Sequence, residues 1–419
     1  MRRYIYINGK KSVEIEYSGD KVENVYLDGI KYHFENDGTD KLRFAQESKR
    51  KKYSDFLNNQ FENLIILSGA GTSVGIGDDI SENGSLVSRK GKLLSDLWDD
   101  VETSLTKSFF HRFCELVLYT DKDKGEYVKN LEKILSLANI GKDYLKQEKI
   151  ASKDVIDIGE TIIAIEKIIV KNCTLKLPSN SPHNIFIEKI TKRKVTLPRV
   201  KIFTLNYDTL FEQAGRKKNF TIIDGFSFSH PRTFSGRNFD LDIVARNSSR
   251  VKEEDNFVQK VFHLYKPHGS VDWEKDGNDI VQKDNVSVPL MIFPKNSKYE
   301  SSYEQPYFEM MSRFQQNLRN ENVLLICIGF KFNDKHIVTS IIESLEQNPS
   351  FQLMIVNRSI DDSSENFKPF FEASKNHNNI FLISELFEDF ATYFPDLKSY
   401  NQEDTKKIIL NLNNNRDGN

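Results

Sequence analysis

The most constraining feature of this chain is an uninterrupted apolar run, Leu64-Ile65-Ile66-Leu67, that stops abruptly at Ser68-Gly69-Ala70-Gly71. A strand that is apolar at every position is buried on both faces. A parallel sheet covered by helices on each side provides that environment, whereas an antiparallel sheet with one wet face calls for alternation. Runs of the same kind return at Val200-Lys201-Ile202-Phe203-Thr204, Phe220-Thr221-Ile222-Ile223, Leu290-Met291-Ile292-Phe293, Val323-Leu324-Leu325-Ile326-Cys327-Ile328, Leu353-Met354-Ile355-Val356 and Ile380-Phe381-Leu382-Ile383. Most are separated by helical patterns. The expected fold is therefore α/β, a doubly wound, mainly parallel, Rossmann-like sheet whose ligand crevice lies at the carboxyl ends of its strands.

Two segments fall outside this alternation. Residues 1–50 begin with alternating apolar and polar positions, as in Tyr4-Ile5-Tyr6-Ile7 and Val13-Glu14-Ile15-Glu16-Tyr17, separated by Asn8-Gly9, Gly19-Asp20 and Asp28-Gly29. This pattern predicts a small antiparallel β extension, followed by a solvated basic helix around Lys49-Arg50-Lys51-Lys52. Between about residues 85 and 195 the spacing turns helical. Leu93, Leu94, Leu97, Trp98 and Val101 form one stripe, and Ile158, Ile162, Ile163, Ile165 and Ile169 another, which reads as a helical insertion. The main domain is expected over residues 51–398, with a polar tail at 399–419.

Charged residues make up 29% of the 419, yet the formal net charge is only -2. No global field draws such a chain to nucleic acid or to membranes, so binding to neither is expected. Cys114, Cys173 and Cys327 are far apart and form no zinc-ligand or redox pair, which points to a reducing compartment and no metal. The opening residues lack the apolar core of a signal peptide, and no run is long enough to span a bilayer. The expectation is a soluble, cytoplasmic protein.

Each apolar run ends in residues that carry chemistry. Gly69-Ala70-Gly71-Thr72-Ser73 leaves the first buried strand; without Cβ atoms a backbone approaches a pyrophosphate closely and offers it N–H groups, although tight turns use glycine in the same way. The dehydrogenase spacing is absent. Thr204-Leu205-Asn206-Tyr207-Asp208 places a carboxamide and a carboxylate at a second strand end, where helix capping is the ordinary explanation. Lys266-Pro267-His268-Gly269-Ser270 holds an imidazole in a sharp bend. Ile328-Gly329-Phe330-Lys331-Phe332-Asn333-Asp334 ends another strand, with Asn333 or Asp334 capping the next helix, and Val356-Asn357-Arg358 ends one more. Each has a bland reading by itself, but five such clusters fall on the one edge where a parallel sheet binds ligands.

The order of these motifs resembles the sirtuin superfamily. Gly69-Ala70-Gly71-Thr72-Ser73 is similar to its Gly-Ala-Gly-x-Ser loop, Thr204-Leu205-Asn206-Tyr207-Asp208 to its Thr-Gln-Asn-x-Asp, and His268-Gly269 to its His-Gly. Gly329-Phe330 is similar to its later glycine-containing strand exit, and Asn357 to the Asn after its next strand. In pattern the chain most resembles sirtuin-like proteins of bacterial antiviral defence, with their Asn-Tyr-Asp and Phe-Asn-Asp-x-His-Ile forms. The resemblance implies NAD as substrate and its hydrolysis to nicotinamide and ADP-ribose. It also implies a homo-oligomer and, in some relatives, a HerA-type hexameric ATPase as partner.

It further implies site roles. Asn206, Asp208 and His268 become the catalytic residues; Gly69, Ala70, Gly71, Thr72, Ser73, Gly329, Phe330 and Asn357 line the dinucleotide. Ser73 is expected to give the pyrophosphate a hydroxyl hydrogen bond. Three departures stand out. No cysteine lies between His268 and Cys327, where deacylating sirtuins carry zinc ligands. The family's usual Asp-Phe-Arg is replaced by Ile76-Gly77-Asp78-Asp79-Ile80, and Lys331 stands where a small hydroxyl residue is usual. A module that senses NAD or ADP-ribose, a zinc-free deacylase and an assembly protein remain as competing readings.

Overall fold

The computed structural model describes residues 2–36, 38–59, 61–144, 156–194, 196–245, 257–284, 286–291, 305–360 and 364–397. The polar tail expected at 399–419 lies outside them. A single eleven-stranded sheet organises the chain. Its strands are β1 (Arg2–Asn8), β2 (Lys11–Ser18), β3 (Lys21–Leu27), β4 (Ile30–Lys31), β5 (Asn63–Ser68), β6 (Lys201–Thr204), β7 (Thr221–Ile223), β8 (Val261–Tyr265), β9 (Val323–Ile328), β10 (Gln352–Asn357) and β11 (Ile380–Ser384). Across the sheet they run β7-β8-β6-β5-β9-β10-β11-β1-β2-β3-β4. Every pairing from β7 to β11 is parallel. The chain steps from β5 to β6 on one side and later returns to β9 on the other, so strand order reverses at β5.

The uniform apolar runs explain this arrangement residue by residue. Leu64 and Ile66 of β5 enter one core with Leu324, Ile326, Met354 and Val356. Ile65 and Leu67 enter the opposite core with Leu325, Cys327, Leu353 and Ile355. Helices Lys41–Leu57, Pro182–Ile190, Leu210–Lys217 and Phe387–Tyr393 cover the first face. Helices Tyr307–Leu318, Lys335–Gln347 and Lys368–Asn376 cover the second. The doubly wound α/β expectation is met. The N-terminal strands continue the same sheet antiparallel, with Tyr6 opposite Ile383 and Ile7 opposite Leu382 of β11.

Between β5 and β6 lies a helical unit with its own core. Leu97, Trp98, Phe110, Phe113, Leu131, Ile134, Ile165 and Ile169 are buried together there, on helices Leu94–Leu105, Lys107–Leu116, Leu131–Tyr144 and Ile158–Cys173. Tyr207, from the exit of β6, is buried in the same cluster. No helix among the described residues is long and apolar enough to cross a membrane.

Two expectations change. Leu290-Met291 does not belong to the parallel sheet: Pro289–Met291 pairs in a separate four-stranded sheet with Gly269–Asp276, which also pairs with Asp279–Gln282; Ile292 and Phe293 lie outside the described residues. The basic helix is not solvated throughout either. Lys49 has a side chain only 1% exposed, donates to the carbonyl of Ser384 at 2.7 Å and lies 3.4 Å from the Glu385 carboxylate. An ammonium is tolerated there because a carbonyl and a carboxylate surround it.

At the exits of β5 and β9 two backbones touch. Gly329 has φ +61°, and a Cβ there would lie 2.5 Å from Cα of Gly71. Gly71 N–H donates to the Gly329 carbonyl at 3.0 Å, and Gly69 N–H to Ile328 at 2.9 Å. The glycines therefore serve a strand-exit crossing as well as any ligand.

Two stability tests follow from these contacts. Glu385→Ala leaves Lys49 buried without its carboxylate and is expected to cost about 3–5 kcal/mol, whereas Lys49→Met, which leaves Glu385 its Arg50 partner, stays within about 1 kcal/mol of the parent. Urea midpoints measure both, and equal losses would refute the assignment. Gly329→Ala should destabilise by at least ~2 kcal/mol through strain and collision with Gly71; a thermal midpoint unchanged from the parent would show that the crossing yields freely.

Candidate active site at the carboxyl edge of the sheet

Because β5 to β11 are parallel, their carboxyl ends share one edge. All five polar clusters singled out in the sequence emerge there, after β5, β6, β8, β9 and β10.

The first cluster forms one hydrogen-bonded unit across β5 and β6. Asn206 is half-buried, and its Nδ2 donates to the Gly69 carbonyl at 3.0 Å, to Thr72 Oγ1 at 3.1 Å and to Ser73 Oγ at 2.9 Å. Ser73 Oγ in turn donates to Asp208 Oδ2 at 2.6 Å, while Asp208 Oδ1 accepts from the Leu210 N–H at 3.1 Å. Thr72 Oγ1 donates to the Gly69 carbonyl at 2.9 Å and shares a 2.7 Å bond with Ser68 Oγ. The carboxamide nitrogen is thus fixed from behind, and Oδ1, an acceptor, is what Asn206 can present to a ligand.

This arrangement alters the expectation for the glycine-containing loop. The N–H groups of Gly71, Thr72 and Ser73 are bonded to the carbonyls of Gly329, Gly69 and Ala70. The Ser73 hydroxyl proton goes to Asp208 rather than outward to a pyrophosphate. Ala70 remains half-buried at the edge. Asp208 stands one residue before the helix N-cap Thr209, accepts from the first helical N–H through one oxygen and from Ser73, itself an acceptor for Asn206, through the other.

The second cluster joins β8 to β9. His268 Nε2 lies 3.0 Å from Asp334 Oδ2, and both side chains are 6% exposed. Asp334 Oδ1 accepts from the N–H groups of His336 and Ile337 at 3.0 and 3.3 Å, capping helix Lys335–Gln347. Burial raises the Asp334 carboxyl, but His268 and the two N–H donors outweigh it and hold the group below the ordinary aspartate range. In the sheet, β8 and β9 are separated by β6 and β5, three strand spacings or about 14 Å. The exit loops must therefore arch over the ends of β6 and β5 for His268 to reach Asp334. Asn206 and Gly69 leave those two strands at the same edge.

A third contact stabilises the arch. Lys266 is 1% exposed, and its Nζ donates to the Asp208 carbonyl at 2.5 Å, Glu212 Oε1 at 2.9 Å and Ser270 Oγ at 2.7 Å. Burial opposes its charge, yet Glu212, Asp272 and Asp208 prevail and raise its pKa above the ordinary lysine value. Gly269 has φ +83°, and a Cβ would meet the Leu290 carbonyl at 2.1 Å, so the residue after the imidazole has to be glycine.

The remaining expected residues form the rim. Phe330 is buried against Phe332, ring centroids 4.7 Å apart, and Asn357 Nδ2 donates to the Phe330 carbonyl at 3.0 Å. Lys331 is exposed. Sequence reasoning missed two acidic residues. Asp334 was visible only as a cap, because its bond to His268 joins residues far apart in the chain. Glu132, in the first turn of Leu131–Tyr144, carried no signal at all. Its carboxyl is raised by burial, lowered by His268 and raised by Asp334, so the helical unit brings an acid within electrostatic reach of the imidazole. Among the described residues no group of His, Cys, Asp and Glu is arranged to hold a metal ion.

A cavity of about 450 Å³ lies elsewhere, at the amino ends of β6 and β8. We place the candidate active site at the carboxyl edge because the anchored carboxamide, the carboxylates and the imidazole all leave their strands there, on the edge where parallel sheets bind ligands.

Several solved structures are similar to this chain. Solved structures described as "Sir2-p53 peptide-NAD+" and "Sir2 bound to acetylated peptide" align over 82% of this chain and 96% of theirs, at 12% and 13% identity and TM-scores of 0.36 and 0.35. A third, "Structural Basis for the Mechanism and Regulation of Sir2 Enzymes", aligns over 83% and 97% at 10% identity and a TM-score of 0.34. No curated protein sequence matches. The SIR2-like domain family model matches residues 200–380, a span that holds Asn206, Asp208, His268, Gly329, Asp334 and Asn357 and leaves out Gly69 to Ser73.

Proposed function

We propose that this chain is an NAD glycohydrolase, which breaks the bond between the nicotinamide nitrogen and C1′ of its ribose. The observation that carries the reading is the pairing of His268 with Asp334 at the same sheet edge as the anchored Asn206. NAD as the substrate class rests on the resemblance of these motifs to the sirtuin superfamily, and the match to a SIR2-like domain model supports it.

The pyridinium nitrogen is already cationic, so nicotinamide leaves as a neutral molecule without acid assistance. The barrier lies in the positive charge that develops at the ribose, as in glycoside hydrolysis. Asn206 Oδ1 accepts a hydrogen bond from a ribose hydroxyl or from the attacking water, and Asp208 keeps the carboxamide in place through Ser73. Asp334, held ionised, takes the Nε2 proton of His268 as a hydrogen bond and leaves Nδ1 with the lone pair. That nitrogen serves as general base toward a ribose hydroxyl or the water. Water oxygen bonds to C1′, the C1′–N bond breaks, and one proton is released through His268, so NAD and water yield nicotinamide, ADP-ribose and a proton. The dinucleotide lies along Gly69, Ala70, Gly71, Thr72 and Ser73, with Gly329, Phe330 and Asn357 on the adjacent exits.

The resemblance to sirtuin-like defence proteins extends the reading to the cell. There the chain depletes NAD in infected bacteria as a cytoplasmic homo-oligomer, with a HerA-type ATPase as its partner.

The purified chain incubated with NAD should release nicotinamide, followed by chromatography. Asn206→Ala and His268→Ala should lower the rate at least ~100-fold while the circular dichroism spectrum stays that of the folded parent; full turnover by either variant removes that residue's role. NAD binding without release would replace hydrolysis by sensing, and acetyl-ADP-ribose formed from an acetylated peptide would replace it by deacylation. Asp334→Asn should reduce kcat by about tenfold or more with little change in KM, because it misdirects the imidazole rather than the substrate. A rise in KM alone would make Asp334 a binding residue.

A further inference from the structure

The cavity of about 450 Å³ lies at the opposite edge of the sheet from His268. Its walls come from the end of helix Pro182–Ile190, the segment leading into β6, and the starts of β7 and β8. Six cationic side chains line it, Lys189, Lys192, Arg193, Lys194, Arg199 and Lys260, against two carboxylates, Glu188 and Asp396.

How these charges are met is more informative than their number. Lys189 donates to the carbonyls of Thr392 and Phe394 at 2.5 and 2.7 Å, and Lys260 to that of Lys218 at 3.1 Å. Arg193 donates to the carbonyls of Phe61, Glu62 and Pro198. A carbonyl satisfies a donor and leaves the formal charge uncompensated. Of the two acids, Glu188 is turned toward Lys218 at 2.9 Å, and Asp396 pairs with Lys192 where both are more than half exposed, a contact worth little in water. Arg199 has a firm carboxylate partner in Asp242 at 3.0 Å.

Burial brings Arg193 down to about 10, and burial, with a smaller contribution from Arg193, brings Lys201, the first residue of β6, down to about 8. A buried cation is stabilised by an anion placed beside it. Apolar side chains complete the walls, notably Leu197, Pro198, Phe220 and Val261.

We propose that this cavity is a binding site for a small phosphorylated molecule of mononucleotide size, with Lys192, Arg193 and Lys260 facing its phosphate and Phe220 and Leu197 flanking its apolar part. The volume falls within the range of small-molecule sites, and a concave wall suits a compact ligand better than a polymer backbone. The site is separate from the proposed hydrolytic centre and does not depend on it. Between the two runs β6, four residues or about 13 Å of strand.

The test is calorimetric titration of the full-length protein with inorganic pyrophosphate and with AMP, repeated on a Lys192→Ala/Lys260→Ala double variant and on Asn206→Ala. Both substituted lysines are surface groups, so the fold should survive. Binding of both probes that weakens tenfold or more in the double variant, and persists in Asn206→Ala, supports the site. No binding by the parent up to millimolar probe overturns it, as does equal affinity in the double variant. Binding confined to a single-stranded oligonucleotide, with no competition from pyrophosphate, overturns it in favour of a nucleic-acid surface.

Discussion

The contact on which the candidate site depends is the meeting of two backbones, Gly71 on the exit of β5 and Gly329 on the exit of β9, with no side chain between them. That approach bends the loop after β5 into a tight turn and directs the Thr72 and Ser73 hydroxyls toward β6. Asn206 is then held by three acceptors of one loop, and Asp208 is drawn to Ser73. A side chain at either glycine would part the two exits and leave Asn206 without a mount. Glycine is used here for the closeness of the chain to itself, and whatever closeness it permits to a ligand comes second.

Much of this was legible in the sequence because it is local. A buried strand announces itself by uniform apolarity, and a parallel sheet must put all its carboxyl ends on one edge, so the positions of Asn206, His268, Gly329 and Asn357 followed from strand limits alone. What the sequence could not give was pairing across long chain separations. Asp334 carries an obvious capping signal, but one carboxylate oxygen is enough for the cap, and nothing in the chain indicates where the other points. Lys49 sits in a basic run that looks solvated; it is buried because Glu385, in the loop beyond the last strand, lies beneath it. The four-stranded sheet after His268 did have a signal that went unused, since Asp276-Gly277 turns a hairpin between Lys275 and Ile280, with Gly277 at φ +63°.

Charge is distributed over the molecule with a similar economy. The near-neutral total hides two strongly polarised places. At the carboxyl edge, carboxylates face an imidazole and a buried ammonium, so each charge has a partner and the geometry is fixed. At the amino edge, Lys189, Arg193 and Lys260 face carbonyls, which satisfy their donors and leave their charge uncompensated. The first arrangement suits positioning and proton transfer, while the second suits attraction of an anion.

The helical unit meets the candidate site through Tyr207 at the β6 exit and through Glu132. Thr204 is fixed by the sheet, where it pairs with Ser68, and Tyr207 is buried in the core formed by Trp98, Leu131 and Ile165. Asn206 lies between these two anchors. Any displacement of the helical unit therefore acts on the carboxamide through one peptide link, and on His268 through Glu132 in the same unit's electrostatic reach. A segment whose sequence shows only amphipathic helices thus becomes the element best placed to couple an external contact to the geometry of the site, because it shares a hydrophobic core with the residue adjacent to Asn206.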